Sequence, residues 1–151
     1  MSVVAGGNGA GINRTQIWSP TGIYFDWISQ SIYVASFNGH YILRWFLGGT
    51  SWVVAAGYGN GTAGSNSDAL SSPRHVTIDP MGNMYVVDRG NHRIQFFKVG
   101  ETVGTTIAGV TGVAGDNATL LNVPRSIRLD SQLNLYVVDA ANDRIQKFVR
   151  Y

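Results

Sequence analysis

Apolar positions along this chain come in short bursts, some alternating with polar residues and some unbroken for four or five positions, and most bursts end at Gly, Asn or Asp. A period of two over such lengths predicts strands, and no 3.6-residue period persists long enough to compete. The bursts fall at residues 2–7, 21–26, 31–36, 41–47 and 51–56, then 75–79, 84–88, 93–98 and 105–108, and finally 126–130, 135–139 and 144–149. Asp79, Pro80, Met81, Gly82 and Asn83 supply the turn between two of them, with Pro pre-setting φ and Gly accepting a positive φ at little cost. Tyr85-Val86-Val87 is apolar on both faces. Small sheets covered from both sides are therefore expected.

The bursts repeat as a group. Residues 72–98 read SPRHVTIDPMGNMYVVDRGNHRIQFFK, and residues 123–149 read VPRSIRLDSQLNLYVVDAANDRIQKFV. Pro73, Asp79, Asn83, Tyr85, Asp88, Asn91, Arg93, Ile94 and Gln95 are answered by Pro124, Asp130, Asn134, Tyr136, Asp139, Asn142, Arg144, Ile145 and Gln146. A third copy from Ser19 keeps the apolar frame but has Ser36 in place of Asp88 and Tyr41 in place of Arg93. Equivalent prolines stand 53 and 51 residues apart, from Pro20 to Pro73 and from Pro73 to Pro124. A period near fifty marks a repeat architecture whose units cannot bury their faces alone. The similar stretches SVVAGG, WVVAAG and TTIAG precede each copy by a Gly-rich loop and add a fourth strand to the period. The expected fold is all-β: a β-propeller of four-stranded antiparallel blades, three per chain, with repeats at about 19–57, 72–109 and 123–149.

The pattern P-x-x-hhhD, then GN-hYVhD, then N-x-RI-x-x-F resembles the NHL-repeat family, most closely over residues 73–98 and 124–149. The resemblance implies a six-bladed propeller. It implies no single activity, because NHL propellers are known as protein-binding and RNA-binding platforms and, in a related lyase group, as metal-dependent enzymes.

Composition narrows the choice. Charged residues make up 13% and the formal net charge is +2, which gives no case for nucleic acid on charge alone. The absence of Cys removes disulfides and thiolate chemistry. The apolar runs are strand-sized, so no membrane partner is expected, and no signal-peptide pattern is visible. Sequons at Asn13, Asn60 and Asn117 sit in the Gly-rich loops and leave the compartment open.

Candidate chemistry gathers at the end where the innermost strand of each blade begins. Arg74 and Arg125 are expected at the channel mouth, with His75 beside the first, as binding residues for a carboxylate, a phosphate or an acidic peptide. Asp88 with Arg93, and Asp139 with Arg144, recur with the repeat and read as structural pairs tying turns together. Arg89, His92 and Asp143 lie further out on that end, and His40 and His92 hold equivalent turn positions. No His-x-His or Cys cluster exists to close a metal shell, so neither metal nor cofactor is expected. Trp45 and Trp52 fall on strands and read as core, whereas Trp27 falls in a turn as a possible exposed anchor for a partner.

The reading that follows is a non-enzymatic binding or scaffold module presenting its loop-bearing end to a protein or peptide. RNA is disfavoured by the low basic count. The alternatives are a metal-dependent lyase- or lactonase-like enzyme, and a natural or engineered propeller fragment that assembles by strand exchange. Assembly is expected to be a homodimer: residues 2–7 resemble a fourth strand, the last repeat lacks one, and two copies would close a six-bladed ring.

Overall fold

The computed structural model describes residues 2–149. Among them β1 (Pro20–Asp26), β2 (Ser31–Ser36), β3 (Tyr41–Phe46) and β4 (Trp52–Ala56) form one antiparallel sheet in sequence order. A second comprises β5 (Pro73–Ile78), β6 (Met84–Asp88), β7 (Arg93–Phe97) and β8 (Thr105–Gly109). The third has three strands, β9 (Pro124–Leu129), β10 (Leu135–Asp139) and β11 (Arg144–Phe148). These are the three meanders expected from the repeat.

Carboxylates make the turns. Asp79 Oδ1 accepts the Met81 and Asn83 backbone N–H groups, each at 2.9 Å, while its Oδ2 takes the Asn83 amide at 2.9 Å and the Tyr85 hydroxyl at 3.3 Å. Asp130 repeats the arrangement with Gln132, Asn134 and Tyr136. An Asx turn of this kind fixes the hairpin register, which in turn sets the face on which each apolar side chain lies. At the other end, Ser72 (φ 47°), Val123 (φ 53°) and Ser19 (φ 50°) precede the three prolines in the left-handed region. A β-branched Val in that region is strained, so the surrounding contacts must hold it there.

The sheets stack face to face. Between the first and second, Ala35, Ile42 and Ala56 meet Leu70, Val76, Met84, Val86 and Phe97, all buried. Between the second and third, the equivalent residues Val87, Ile94 and Ala108 meet Leu121, Ile127, Leu135 and Val137. The apolar-on-both-faces strands are thus explained: each blade is a filling between two neighbours. The innermost strands touch in the order β1, β5, β9. Thr21 Oγ1 donates to the Arg74 carbonyl at 2.9 Å across the first of these contacts.

Residues 2–7 carry no strand within this chain. A strand needs an edge to pair with, and no edge among the described residues takes this one. Ala5 instead packs against a cluster of Val34, Tyr41, Leu43, Trp45 and Trp52 on the outward face of the first sheet.

Candidate binding surface at the arginine-bearing end

Each blade receives its innermost strand through a long loop from the blade before, and a side-chain clamp holds that loop. In the second blade Asp88 is fully buried, and its Oδ1 accepts Ser71 N–H at 2.7 Å. Its Oδ2 accepts Asn91 Nδ2 and Arg93 Nε, both at 2.7 Å. Arg93 then spends its remaining donors on the carbonyls of Ser65, Asn66 and Ala69 and on Thr111 Oγ1, at 2.9 to 3.1 Å. Asn91 reaches the Gly64 carbonyl at 2.8 Å. Asp139, Asn142 and Arg144 repeat the clamp on the loop of the third blade, contacting Asn122 N–H and the carbonyls of Gly115, Asp116, Asn117 and Leu120. The expected structural pairs are therefore ion pairs whose real object is the incoming loop, at 2.7 Å in one blade and 2.8 Å in the other.

Burial separates the two. It pushes the Asp88 carboxyl above its ordinary range against the pull of Asn91, Ser71 and Arg93. At Asp139 burial acts in the same direction, but the donors from Asn122, Asn142, Arg144 and Gln146 outweigh it and hold the group below the ordinary value. In the first blade the clamp is aromatic. Tyr41 stacks on Trp52 with centroids 4.9 Å apart, Trp52 Nε1 donates to the Gln16 carbonyl at 2.7 Å, and Ser36 Oγ donates to the Trp18 carbonyl at 2.7 Å.

The turn histidines latch one blade to the next. His40 Nδ1 accepts Ser72 N–H at 3.0 Å and His92 Nδ1 accepts Val123 N–H at 3.1 Å. Both must present an unprotonated Nδ1 to do so. Burial holds His40 below its ordinary pKa, against a smaller opposing pull from Asp88.

The binding candidates lie inward of these clamps. Arg74 and Arg89 both lie against the Phe37 ring, their guanidinium carbons 5.8 and 5.6 Å from its centroid. Neither has a hydrogen bond or ion pair from its side chain to the described residues. Arg125 and Arg89 stand where Arg74 and Phe37 stand one blade earlier, and Arg125 is exposed. Three guanidiniums with unused donors therefore mark one end of the stack. Thr21 occupies the corresponding position in the first blade.

His75 lies beneath this surface. A Cβ on Gly22 would come within 2.8 Å of the His75 ring and 2.6 Å of the Arg74 carbonyl, so only Gly lets β1 approach β5 so closely. The His75 Nδ1 is buried with no hydrogen-bond partner among the described residues. Burial first, and then Arg128, lower the His75 pKa, which keeps the ring neutral near pH 7. It is a neutral ring beside the arginines, not a fourth cation.

Trp27 is 71% exposed, as its turn position predicts, but it lies in the β1–β2 turn at the opposite end. Trp45 and Trp52 are core. A cleft of about 560 Å³ also opens at that opposite end, lined by Met81, Tyr85, Phe96, Leu133, Lys147 and Phe148 among others. Its one cation, Lys147, lies 5.4 Å from the Tyr136 ring, and Asp79 is committed to its own turn. The cleft lacks the convergent polar groups that orient a small ligand. Phe37 escaped the sequence reading because an aromatic residue in a turn has no period. Its equivalence to Arg89 was the available signal.

The NHL repeat matches the chain over residues 70–97, which hold β5, β6, β7 and the Asp88 clamp. This chain carries an NHL repeat. No curated protein matches it in sequence. Among solved structures, a protein of unknown function from Bacteroides thetaiotaomicron superposes with a TM-score of 0.73 at 19% identity, over 86% of this chain and 34% of that one. An auxiliary nutrient binding protein from the same organism gives 0.68 at 25% identity, over 86% and 37%. A streptogramin B lyase gives 0.62 at 11% identity, over 88% and 38%. The chain is thus a stack of β-propeller blades spanning a little over a third of the length of these structures. The shared fold accompanies both a binding protein and a lyase.

Proposed function

We propose that this NHL-repeat chain is a non-enzymatic binding module whose arginine-bearing end receives an acidic segment of a protein or peptide. The observation that carries the reading is the pair of guanidiniums on Phe37, Arg74 and Arg89, with donors left unused while Arg93, a few residues away in sequence, has spent all of its own. A guanidinium held beside an aromatic ring keeps its planar fork in place, so less entropy is lost when a carboxylate docks bidentately. Arg125 extends the cationic end to the third blade. Carboxylates fit this better than RNA. The Phe37 ring already has two guanidiniums beside it, whereas single-stranded RNA binding relies on free faces for successive bases.

The test is a titration of a labelled ten-residue glutamate peptide against a ten-nucleotide oligouridylate, followed by anisotropy at two salt concentrations. The reading expects the peptide to bind more tightly, with affinity falling as salt rises. It also expects the double change Arg74→Ala with Arg125→Ala to abolish peptide binding. Tighter binding of the oligonucleotide would move the protein to the RNA-binding class. Stoichiometric zinc or calcium in the purified protein, together with metal-dependent lactone or lyase turnover, would replace the binding reading with an enzymatic one.

A further inference from the structure

The eleven asparagines of this chain divide by what the side-chain amide nitrogen does. In six of them the fold uses Nδ2: Asn8 donates to the Thr15 carbonyl, Asn38 to Ser19 Oγ, Asn83 to Asp79, Asn91 to Asp88, Asn134 to Asp130 and Asn142 to Asp139. In Asn13, Asn60, Asn66, Asn117 and Asn122 it makes no hydrogen bond to the described residues. The three Asn-x-Thr sequences, Asn13-Arg14-Thr15, Asn60-Gly61-Thr62 and Asn117-Ala118-Thr119, all draw on this second group. None falls on an asparagine whose amide the fold needs. The division matters because an N-linked substituent takes one of the two Nδ2 hydrogens and adds bulk, so it is tolerated only where that nitrogen is idle and open. Asn13, Asn60 and Asn117 are all exposed.

Asn60 and Asn117 meet a second condition. They lie in the loops that carry the chain from one blade to the next, Asn60 between β4 and β5 and Asn117 between β8 and β9. Asn60 Oδ1 accepts the Thr62 N–H at 3.0 Å, and Asn117 Oδ1 accepts the Thr119 N–H at 2.9 Å and the Thr119 hydroxyl at 3.0 Å. Each side chain is thus turned onto the threonine of its own sequon and oriented through its oxygen, which leaves the nitrogen unengaged. The backbone beneath is anchored separately: the Asn117 carbonyl accepts Arg144 Nη2 at 2.7 Å, and beyond Asn60 the Gly64 carbonyl accepts Asn91 Nδ2 at 2.8 Å. Thr62 and Thr119 are exposed together with their asparagines. A substituent at either position would therefore stand on a fixed loop and displace no core residue. Asn13 shares the exposure but not this turn.

We propose that Asn60 and Asn117 are N-glycosylation sites and that the chain travels the secretory route, where the donor is found. The donor is an oligosaccharide carried as a polyprenyl diphosphate. Nδ2 attacks its C1, the new C1–N bond forms as the C1–O bond to the diphosphate breaks, the amide gives up one proton, and the lipid diphosphate leaves. Both glycans stand on loops of the arginine-bearing end, because β4 and β8 finish beside the His40 and His92 turns, with Ala56 opposite Ile42 and Gly109 opposite Arg93. The inference is independent of what that end binds.

The test is expression of the full chain behind a cleavable leader in a eukaryotic cell line. Occupancy is mapped on the secreted and the cell-associated chain by releasing glycans with peptide N-glycosidase in heavy-oxygen water, which marks each former glycan site as a labelled Asp. Peptides containing Asn60 and Asn117 are expected to carry the label. The glycosidase is expected to release both glycans without denaturant, and the glycosylated and released proteins are expected to share one circular dichroism spectrum and one thermal midpoint. Asn60→Gln with Asn117→Gln should remove both glycans and leave the secreted amount unchanged. Unlabelled Asn60 and Asn117 in both fractions would overturn the proposal. So would a wild-type chain held in the cell while the double variant is secreted, since the fold would then not accommodate the glycans.

Discussion

Two sets of arginines share one end of this molecule and are treated in opposite ways. Arg93 is 2% exposed and fixed by Asp88, three backbone carbonyls and a threonine hydroxyl. Arg74 and Arg89 rest beside Phe37 with their donors unused by the described residues. The difference is one of cost. A buried guanidinium must have its donors satisfied or it destabilises the fold, whereas a half-buried one on an aromatic ring leaves them to water and so to any ligand that displaces water. The second and third blades carry both kinds: a clamp arginine paired with a buried carboxylate and an inner arginine, Arg74 or Arg125, without one.

Removing the buried arginine breaks this contrast most severely. Arg93→Ala is expected to lose about 3–5 kcal/mol in chemical denaturation, since it strands a buried carboxylate together with the loop carbonyls. Arg144→Ala sharpens the comparison. Its side chain is 30% exposed, so solvent takes over part of its role and a loss of about 1–2 kcal/mol is expected in the same assay.

A smaller effect concerns the latch between blades. His40 has its folded pKa below the ordinary 6.5, so its stabilisation is complete above that pH and is lost as pH falls through the folded value. Thermal unfolding midpoints should therefore fall on acidification below about pH 6.5. His40→Asn, which keeps an acceptor and tolerates the left-handed backbone, should flatten part of that fall while leaving the neutral-pH midpoint nearly unchanged. An equally steep fall in the variant would remove His40 from the account.

Much of this was legible in the sequence. The recurrence of Pro, Asp, Asn, Tyr, Asp and Arg at fixed offsets gave the meanders, the turn carboxylates and the clamp pairs, because each depends on contacts inside one period. What escaped involves contacts between blades. His40 reaches Ser72 and His92 reaches Val123, so their bonds cross from one repeat to the next and leave no mark in either copy alone. Phe37 gains its meaning from Arg74 in the following blade. The left-handed Val123 opposes its own propensity, and only the neighbouring blade explains it. Residues 2–7 resemble a strand by pattern, yet without an edge to pair with they form none in the single chain.

The central claim, that this end divides into arginines that hold the fold and arginines that hold a ligand, is tested most directly by measuring unfolding free energy and glutamate-peptide affinity on one pair of proteins. Arg74→Ala with Arg89→Ala is expected to lose peptide binding while its stability changes by less than about 0.5 kcal/mol. Arg93→Ala, at a temperature where it remains folded, is expected to keep the affinity and lose the stability. A double variant that unfolds readily yet still binds the peptide at wild-type affinity would contradict the division.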